Sequence, residues 1–339
     1  MNKITDNISQ NSLSISDSED SGKNLLQKKR KQKNKNISIS KYETTKTKPE
    51  KHPRKKIKNY VDISSKREKY PIKLIKSERS KFLKNFNYQT NYIITSNLLN
   101  YKKPSITTTV NNPIYNTIDS IEEFQIPKTY HCSCKNICIP DTCECIQNHT
   151  QKFECNDNCT CYKGVCGNRN LQYGINHEFL VKYINKNKGF GVFAEDDIEK
   201  GEFVCEYIGT IITKNDAEKK IHFNHINHKP NYILQLKEEY PNIIISTYID
   251  SEIYGNFARF INHSCEPNLD FEIIRINSFI PHCAFFANKK ISAGEEITFS
   301  YIGFNNYNKN NERGKENNGS FSYKKCLCGS KNCKGFIPN

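Results

Sequence analysis

Residues Gly255–Asn268 read GNFARFINHSCEPN. The apolar stretch from Phe257 to Ile261 runs straight into a polar turn, Asn262-His263-Ser264-Cys265-Glu266-Pro267-Asn268. That turn presents a thiol where another part of the chain can reach it. Near the C-terminus, Cys326-x-Cys328-x4-Cys333 offers three thiols, one short of the four ligands of a structural zinc. Two other candidates, Cys205 and Cys283, sit inside apolar strand-like runs, where a small buried thiol is the ordinary occupant. Cys265 is therefore the expected fourth ligand. A zinc held this way would clamp the C-terminal segment over the loop that carries Asn262 and His263.

Upstream lies a denser cluster: Cys132-x-Cys134-x3-Cys138-x4-Cys143-x-Cys145-x9-Cys155-x3-Cys159-x-Cys161-x4-Cys166, nine thiols within 35 residues. Three zinc ions sharing three bridging and six terminal thiolates would use all nine. Two four-cysteine sites with one thiol left over would also fit. No apolar run approaches the ~18 residues of a membrane-spanning helix. The N-terminus lacks the apolar core of a secretory signal. The expectation is an intracellular chain whose thiols bind metal and do not form a disulfide framework.

The net charge of +15 is uneven. Residues 1–107 carry 26 Lys and Arg against 9 Asp and Glu, whereas residues 108–339 carry 25 against 27. Hydrophobic residues make up 36% of the chain, below the ~45–50% usual for globular proteins. Residues 1–107 are accordingly expected to be a disordered basic arm, unable to bury enough surface to offset ordering. Its clusters, Lys28-Lys29-Arg30-Lys31 and Arg54-Lys55-Lys56, suit nuclear import or phosphate contact, with a plain solvated tail as the alternative.

The body reads as mostly β. Strand-like runs rich in β-branched and aromatic residues cover Phe179–Ile184, Phe203–Ile212, Tyr232–Leu236, Ile243–Ile249, Phe285–Ala287 and Glu296–Tyr301. One helix is expected over Asn215–Ile221, with Thr213 as its N-cap.

These motifs together resemble a known family. The nine-cysteine segment resembles a pre-SET domain. Glu202–Gly209 (EFVCEYIG), Gly255–Asn268 and Gly294–Tyr301 (GEEITFSY) resemble the core motifs of a SET domain, and Cys326–Cys333 (CLCGSKNC) a post-SET segment. The pre-SET type is similar to that of the Su(var)3-9 group of histone-lysine methyltransferases. The resemblance implies a SET fold of small sheets with a pseudoknot, flanked by zinc-cysteine segments. It divides the chain into an arm (1–107), pre-SET (108–175), SET (176–304), an Asn-rich linker (305–322) and post-SET (323–339).

The same resemblance implies chemistry, the transfer of methyl from S-adenosylmethionine to a lysine amine. Lys188, Gly189, Phe190 and Gly191 match the family's cofactor loop, with Phe190 in place of a common Trp; read alone they are an ordinary turn. Asn262 and His263 match residues that contact the cofactor and support the pseudoknot, and Tyr232 and Arg259 match further cofactor-side positions. Tyr301 matches the catalytic tyrosine and Tyr207 a second channel tyrosine, although among 19 tyrosines each is by itself a plain strand aromatic. Phe299 falls where product number is tuned and implies di- or trimethylation. Ser300 replaces a usual Asp. Thirteen thiolates (nine upstream, then Cys265, Cys326, Cys328 and Cys333) with four zincs would bring the body to about −7, suited to a basic peptide. The implied enzyme works in the nucleus, on the chromosome, and methylates the histone H3 tail at lysine 9, with lysine 36 or a non-histone protein second. A catalytically silent chromatin or DNA-binding module, with the arm on nucleic acid, is the reading from another class. No membrane partner is expected.

Overall fold

The structure is a computed structural model that describes residues 59–81, 85–94, 114–117, 131–134, 138, 143–147, 151–161, 166–240, 243–278, 280–301 and 323–338. The two basic clusters and the Asn-rich linker lie outside the described residues. Short strands dominate. A six-stranded sheet runs in the order Tyr60–Asp62, Ile72–Ile75, Phe179–Asn185, Gly189–Ala194, Glu296–Phe299, Asn262–His263. A second sheet runs Ile233–Tyr240, Ile243–Asp250, Thr210–Ile212, Ile93–Ile94, with Ile114–Thr117 also paired to Ile243–Asp250. A third runs Lys152–Phe153, Leu269–Arg275, His282–Ala287, Phe203–Glu206. Two-stranded pairs join Tyr254–Gly255 to Asn87–Tyr88, and Tyr323–Lys325 to Phe336–Pro338.

The main core lies between these sheets. Phe179, Val181, Val192, Ile249, Phe257, Phe285 and Ile297 are fully buried in it. Asn262–His263 pairs in parallel with Thr298–Phe299, so the last SET strand returns against a much earlier loop. That return is the expected pseudoknot. The helix spans Lys214–Ile226, longer than expected, and Thr213 caps it by accepting the Asp216 N–H at 3.1 Å.

Two expectations need correction. The described part of residues 1–107 is ordered into the body. Ile72 and Leu74 point inward in alternation, their strand pairs with Phe179–Val181, and the Glu78 carboxylate accepts the Tyr183 N–H at 2.8 Å. Strand pairing and two buried side chains replace the apolar mass that this Lys-rich stretch lacks. The single strand expected over Phe203–Ile212 is two strands, because the chain changes sheets at Tyr207–Gly209. Lys188–Gly191, which read alone are an ordinary turn, lead into a strand, Gly189–Ala194, with Gly189 at φ 74° making the tight turn before it. Among the described residues, no helix is long and apolar enough to cross a membrane.

Candidate functional site

The two-residue strand Asn262–His263 stands at the centre of the site. Asn262 lies beside the turn that begins Gly189–Ala194, and its amide nitrogen donates to the Phe190 carbonyl (3.0 Å) and to the Glu296 carboxylate (2.8 Å). Glu296 also holds Lys188 at 3.1 Å. A side chain at Gly191 would meet Ile184 at 2.6 Å, Glu296 at 2.8 Å and Asn262 at 3.1 Å. Lys188, Gly189, Phe190 and Gly191 are thus brought against Asn262, with Glu296 as the link. Glu296 lies inside a quoted motif, but its spacing gives no sign of this role.

His263 faces the other way. Its Nδ1 accepts the Tyr301 main-chain N–H at 3.1 Å, and its Nε2 lies 3.3 Å from the Cys265 sulfur. Accepting at Nδ1 leaves Nε2 as the protonated nitrogen, so the ring donates toward Cys265. Burial pushes the ring's pKa down to about 4, which keeps it neutral.

The tyrosines gather around this pair. Tyr301 donates its hydroxyl to the Ile261 carbonyl at 2.8 Å, and Tyr207 donates to the Tyr232 carbonyl at 2.9 Å. Tyr301 as a residue is 40% exposed, but its phenol end is turned inward. Burial raises the Tyr301 phenol above the ordinary tyrosine range, and the nearby phenols of Tyr207 and Tyr232 add to the rise. Burial likewise raises Tyr207. Phe299 is buried with its ring 4.8 Å from both Phe285 and Tyr301.

Arg259 is 4% exposed, and among the described residues none of its guanidinium nitrogens has a hydrogen-bond partner. It lies 3.8 Å over the Tyr232 ring and 4.9 Å from the rings of Phe86 and Phe260. Burial pushes its pKa below the usual arginine range. Phe86, from the segment expected to be disordered, was not a candidate; nothing in its local sequence signals the contact.

The sulfurs form two separate groups. Cys265, Cys326, Cys328 and Cys333 have their sulfurs within 4.8 Å of one another. Upstream, Cys132–Cys138, Cys132–Cys155 and Cys138–Cys155 are 3.6, 3.7 and 3.5 Å apart. Cys145 and Cys159 are 3.5 Å apart. Four sulfurs bound tetrahedrally at about 2.3 Å from one zinc are about 3.8 Å apart, so both groups fit that metal. Of the nine, eight fall into overlapping four-sulfur sets; Cys166 is buried beside them. Arg169, also missed, donates toward Cys161 at 3.7 Å and places a buried positive charge against the thiolates.

A SET-domain family model matches residues 189–302. The chain is 34% identical over 256 residues to the probable histone-lysine N-methyltransferase set-23 of Caenorhabditis briggsae, covering 71% of this chain and 97% of that protein. The chain belongs to the SET-domain histone-lysine methyltransferases. Among solved structures, the methyltransferase domain of human SETMAR superposes with a TM-score of 0.62 at 28% identity, covering 82% of this chain and 97% of that one. KRYPTONITE, solved with mCHH DNA, an H3(1-15) peptide and SAH, gives 0.56 at 26%, covering 83% of this chain and 54% of that one. In this SET-domain enzyme, Tyr207, Asn262, His263, Phe299 and Tyr301 come together from three separate stretches. Tyr232 and Arg259 pack on one another behind them.

Proposed function

We propose that this chain methylates a lysine ε-amine of the histone H3 tail, lysine 9 by preference, and carries it to the di- or trimethyl form at nuclear chromatin. The observation that carries the reading is Arg259. A buried guanidinium with no hydrogen-bond partner is costly and calls for an anion. The carboxylate of S-adenosylmethionine is the matching group, and the Lys188–Gly191 turn, Asn262 and Tyr232 complete its cradle.

S-adenosylmethionine, when bound, supplies an electrophilic methyl group. The chain's own residues prepare the amine. The Tyr207 and Tyr301 hydroxyls spend their protons on main-chain carbonyls. Each phenol oxygen therefore offers only acceptor lone pairs to the pocket. Such oxygens take the amine's N–H groups and leave its own lone pair free to attack. The raised pKa values keep both phenols neutral, so no phenolate competes for the methyl group. No side chain is assigned as a general base; positioning and exclusion of water carry the step, and the amine loses its proton to solvent.

Phe299, against Tyr301, puts no hydroxyl beside the amine, which suits successive methylations. We assign three zinc ions to the upstream cluster, with Cys132, Cys138 and Cys155 bridging because each lies within 3.7 Å of the other two. A fourth zinc belongs to Cys265, Cys326, Cys328 and Cys333. The test is methylation of a histone H3 peptide panel, with the sites read by mass spectrometry and zinc counted by elemental analysis. Label at lysine 9 and four zincs per chain are expected. Label confined to lysine 36, or failure of the zinc-loaded chain to bind S-adenosylmethionine in calorimetry, would overturn the target or the activity respectively.

A further inference from the structure

Where Tyr207 leaves one sheet for another, its neighbours' main-chain groups lose the regular ladder. They must be paired some other way, since unpaired buried backbone groups are rare. The structure shows how. The Glu206 carbonyl accepts from the Asn256 amide at 2.7 Å, and the Ile208 carbonyl accepts from the Ser251 hydroxyl. The Gly209 carbonyl accepts the Ile93 N–H at 3.1 Å. Beyond that point Ile93 and Ile94 pair in parallel with Thr210 and Ile211.

Tyr207 itself pairs half-normally. Its N–H donates to the Cys283 carbonyl at 2.9 Å, continuing the antiparallel ladder. The reciprocal bond, from the Cys283 N–H to the Tyr207 carbonyl, is replaced by two hops through a side chain. Cys283 N–H donates to the Tyr92 hydroxyl at 3.2 Å, and that hydroxyl donates to the Tyr207 carbonyl at 3.0 Å. The Tyr92 ring packs against His282, with centroids 5.3 Å apart. The Glu206 carboxylate, a second acceptor near this phenol, is engaged by His282 Nδ1 at 2.6 Å. Burial raises the Tyr92 phenol well above the ordinary range, so it stays a donor.

We propose that Tyr92 is a positioning residue for Tyr207: its hydroxyl, inserted into the ladder between Cys283 and Tyr207, sets where the Tyr207 main chain and phenol stand. The segment around Tyr92 is then a splint for the catalytic pocket, supplied from a stretch whose composition reads as a tail. This rests on the reading of Tyr207 as a channel residue. Small misplacements of reacting groups cost rate more than binding, so the effect belongs in kcat.

The experiment uses the full zinc-loaded chain. Tyr92→Phe should lower kcat about tenfold while KM for S-adenosylmethionine stays within about twofold and zinc content is unchanged. Tyr88→Phe is the control. Tyr88 belongs to the same segment and is buried, but its hydroxyl goes to Glu68 at 2.8 Å; its kcat should stay within about twofold. Because Tyr92 acts through Tyr207, Tyr92→Phe added to Tyr207→Phe should cost nothing further, whereas independent effects would add. Full kcat in Tyr92→Phe, an equal loss in Tyr88→Phe, or additive losses in the double variant would each overturn the proposal. An undiminished Tyr207→Phe would remove the channel reading and the proposal with it. If Tyr92→Phe does not fold, hydrogen exchange on the unaltered chain reads the same bond: the Cys283 amide should be protected, and free exchange would overturn the assignment.

Discussion

Replacing Gly191 by Ala tests whether the cofactor turn is built as the geometry says. The added Cβ would lie 2.6 Å from Ile184 Cδ1 and 2.8 Å from Glu296 Oε1, both well inside normal contact. Ile184 can swing its terminal methyl away. Glu296 cannot move freely, because it is pinned between Lys188 (3.1 Å) and the Asn262 amide (2.8 Å), and the ion pair is largely shielded from solvent. Overpacking of this kind costs about 1–3 kcal/mol. Losing the Asn262–Glu296 hydrogen bond costs about 1 kcal/mol. If about 2 kcal/mol of the total falls on the cradle for S-adenosylmethionine, its affinity drops about 30-fold. Calorimetric titration of the zinc-loaded variant reads this directly. Gly201→Ala separates strain from cradle damage. Gly201 sits at φ 86° with nothing near its Cβ, so alanine there costs about 1–2 kcal/mol of stability through backbone strain alone. It should melt earlier yet bind the cofactor normally. Unchanged affinity in Gly191→Ala would show that Glu296 is not a fixed strut, and the cradle would have to be redrawn.

Tyr301→Phe removes the hydroxyl that bonds the Ile261 carbonyl and should cut methyl transfer at least about 100-fold with zinc content unchanged, as measured by peptide methylation and elemental analysis. Cys326→Ser takes one sulfur from the C-terminal group and, through Cys265 and His263, loosens Tyr301. Activity should fall about 10- to 100-fold while hydrogen exchange over residues 151–161 stays as in the parent. Phe299→Tyr places a hydroxyl near the amine and should shift products toward monomethyl-lysine in mass spectra. Stripping metal with a chelator should open the upstream cysteine segment before the main core does, because that segment's buried cluster is all cysteine, with Ile146 as its one partly buried aliphatic neighbour among the described residues. Hydrogen exchange resolved by region checks the order.

Much of this was legible from residue type and spacing. Thiols at such short intervals point to metal binding, and the choice of Cys265 over Cys205 and Cys283 follows from polar against apolar surroundings. Cys265 is half-exposed beside Cys326, while Cys205 and Cys283 are buried in the core. Long-range pairing was not legible. Ile72 joins Phe179 across more than a hundred residues, and a four-residue strand with two inward side chains leaves almost no local trace amid lysines. The strand Leu269–Arg275 escaped because its exposure does not alternate cleanly along the chain. The contacts of Glu296, Tyr92 and Arg169 escaped for a different reason. Tyr92 and Arg169 act on main-chain or sulfur atoms, and Glu296 on two side-chain nitrogens, all brought near by the fold, and no local pattern encodes such partners.

The residues assigned to catalysis share one structural circumstance. Tyr207 stands at a break between sheets, Asn262 and His263 form the shortest strand of theirs, and Tyr301 follows the end of Glu296–Phe299. Interrupted pairing lets side chains and carbonyls converge on one pocket, since a continuous strand sends alternate residues to opposite faces. It also leaves main-chain groups without ladder partners, and several are met by side chains from elsewhere: Asn256, Ser251 and Tyr92 around Tyr207, and His263 at Tyr301. His263 is in turn held by Cys265, one of the four clustered sulfurs. The proposed metal clamp and the N-terminal splint would therefore serve the same end. Both act on a pocket whose main-chain groups strand pairing alone leaves unmet.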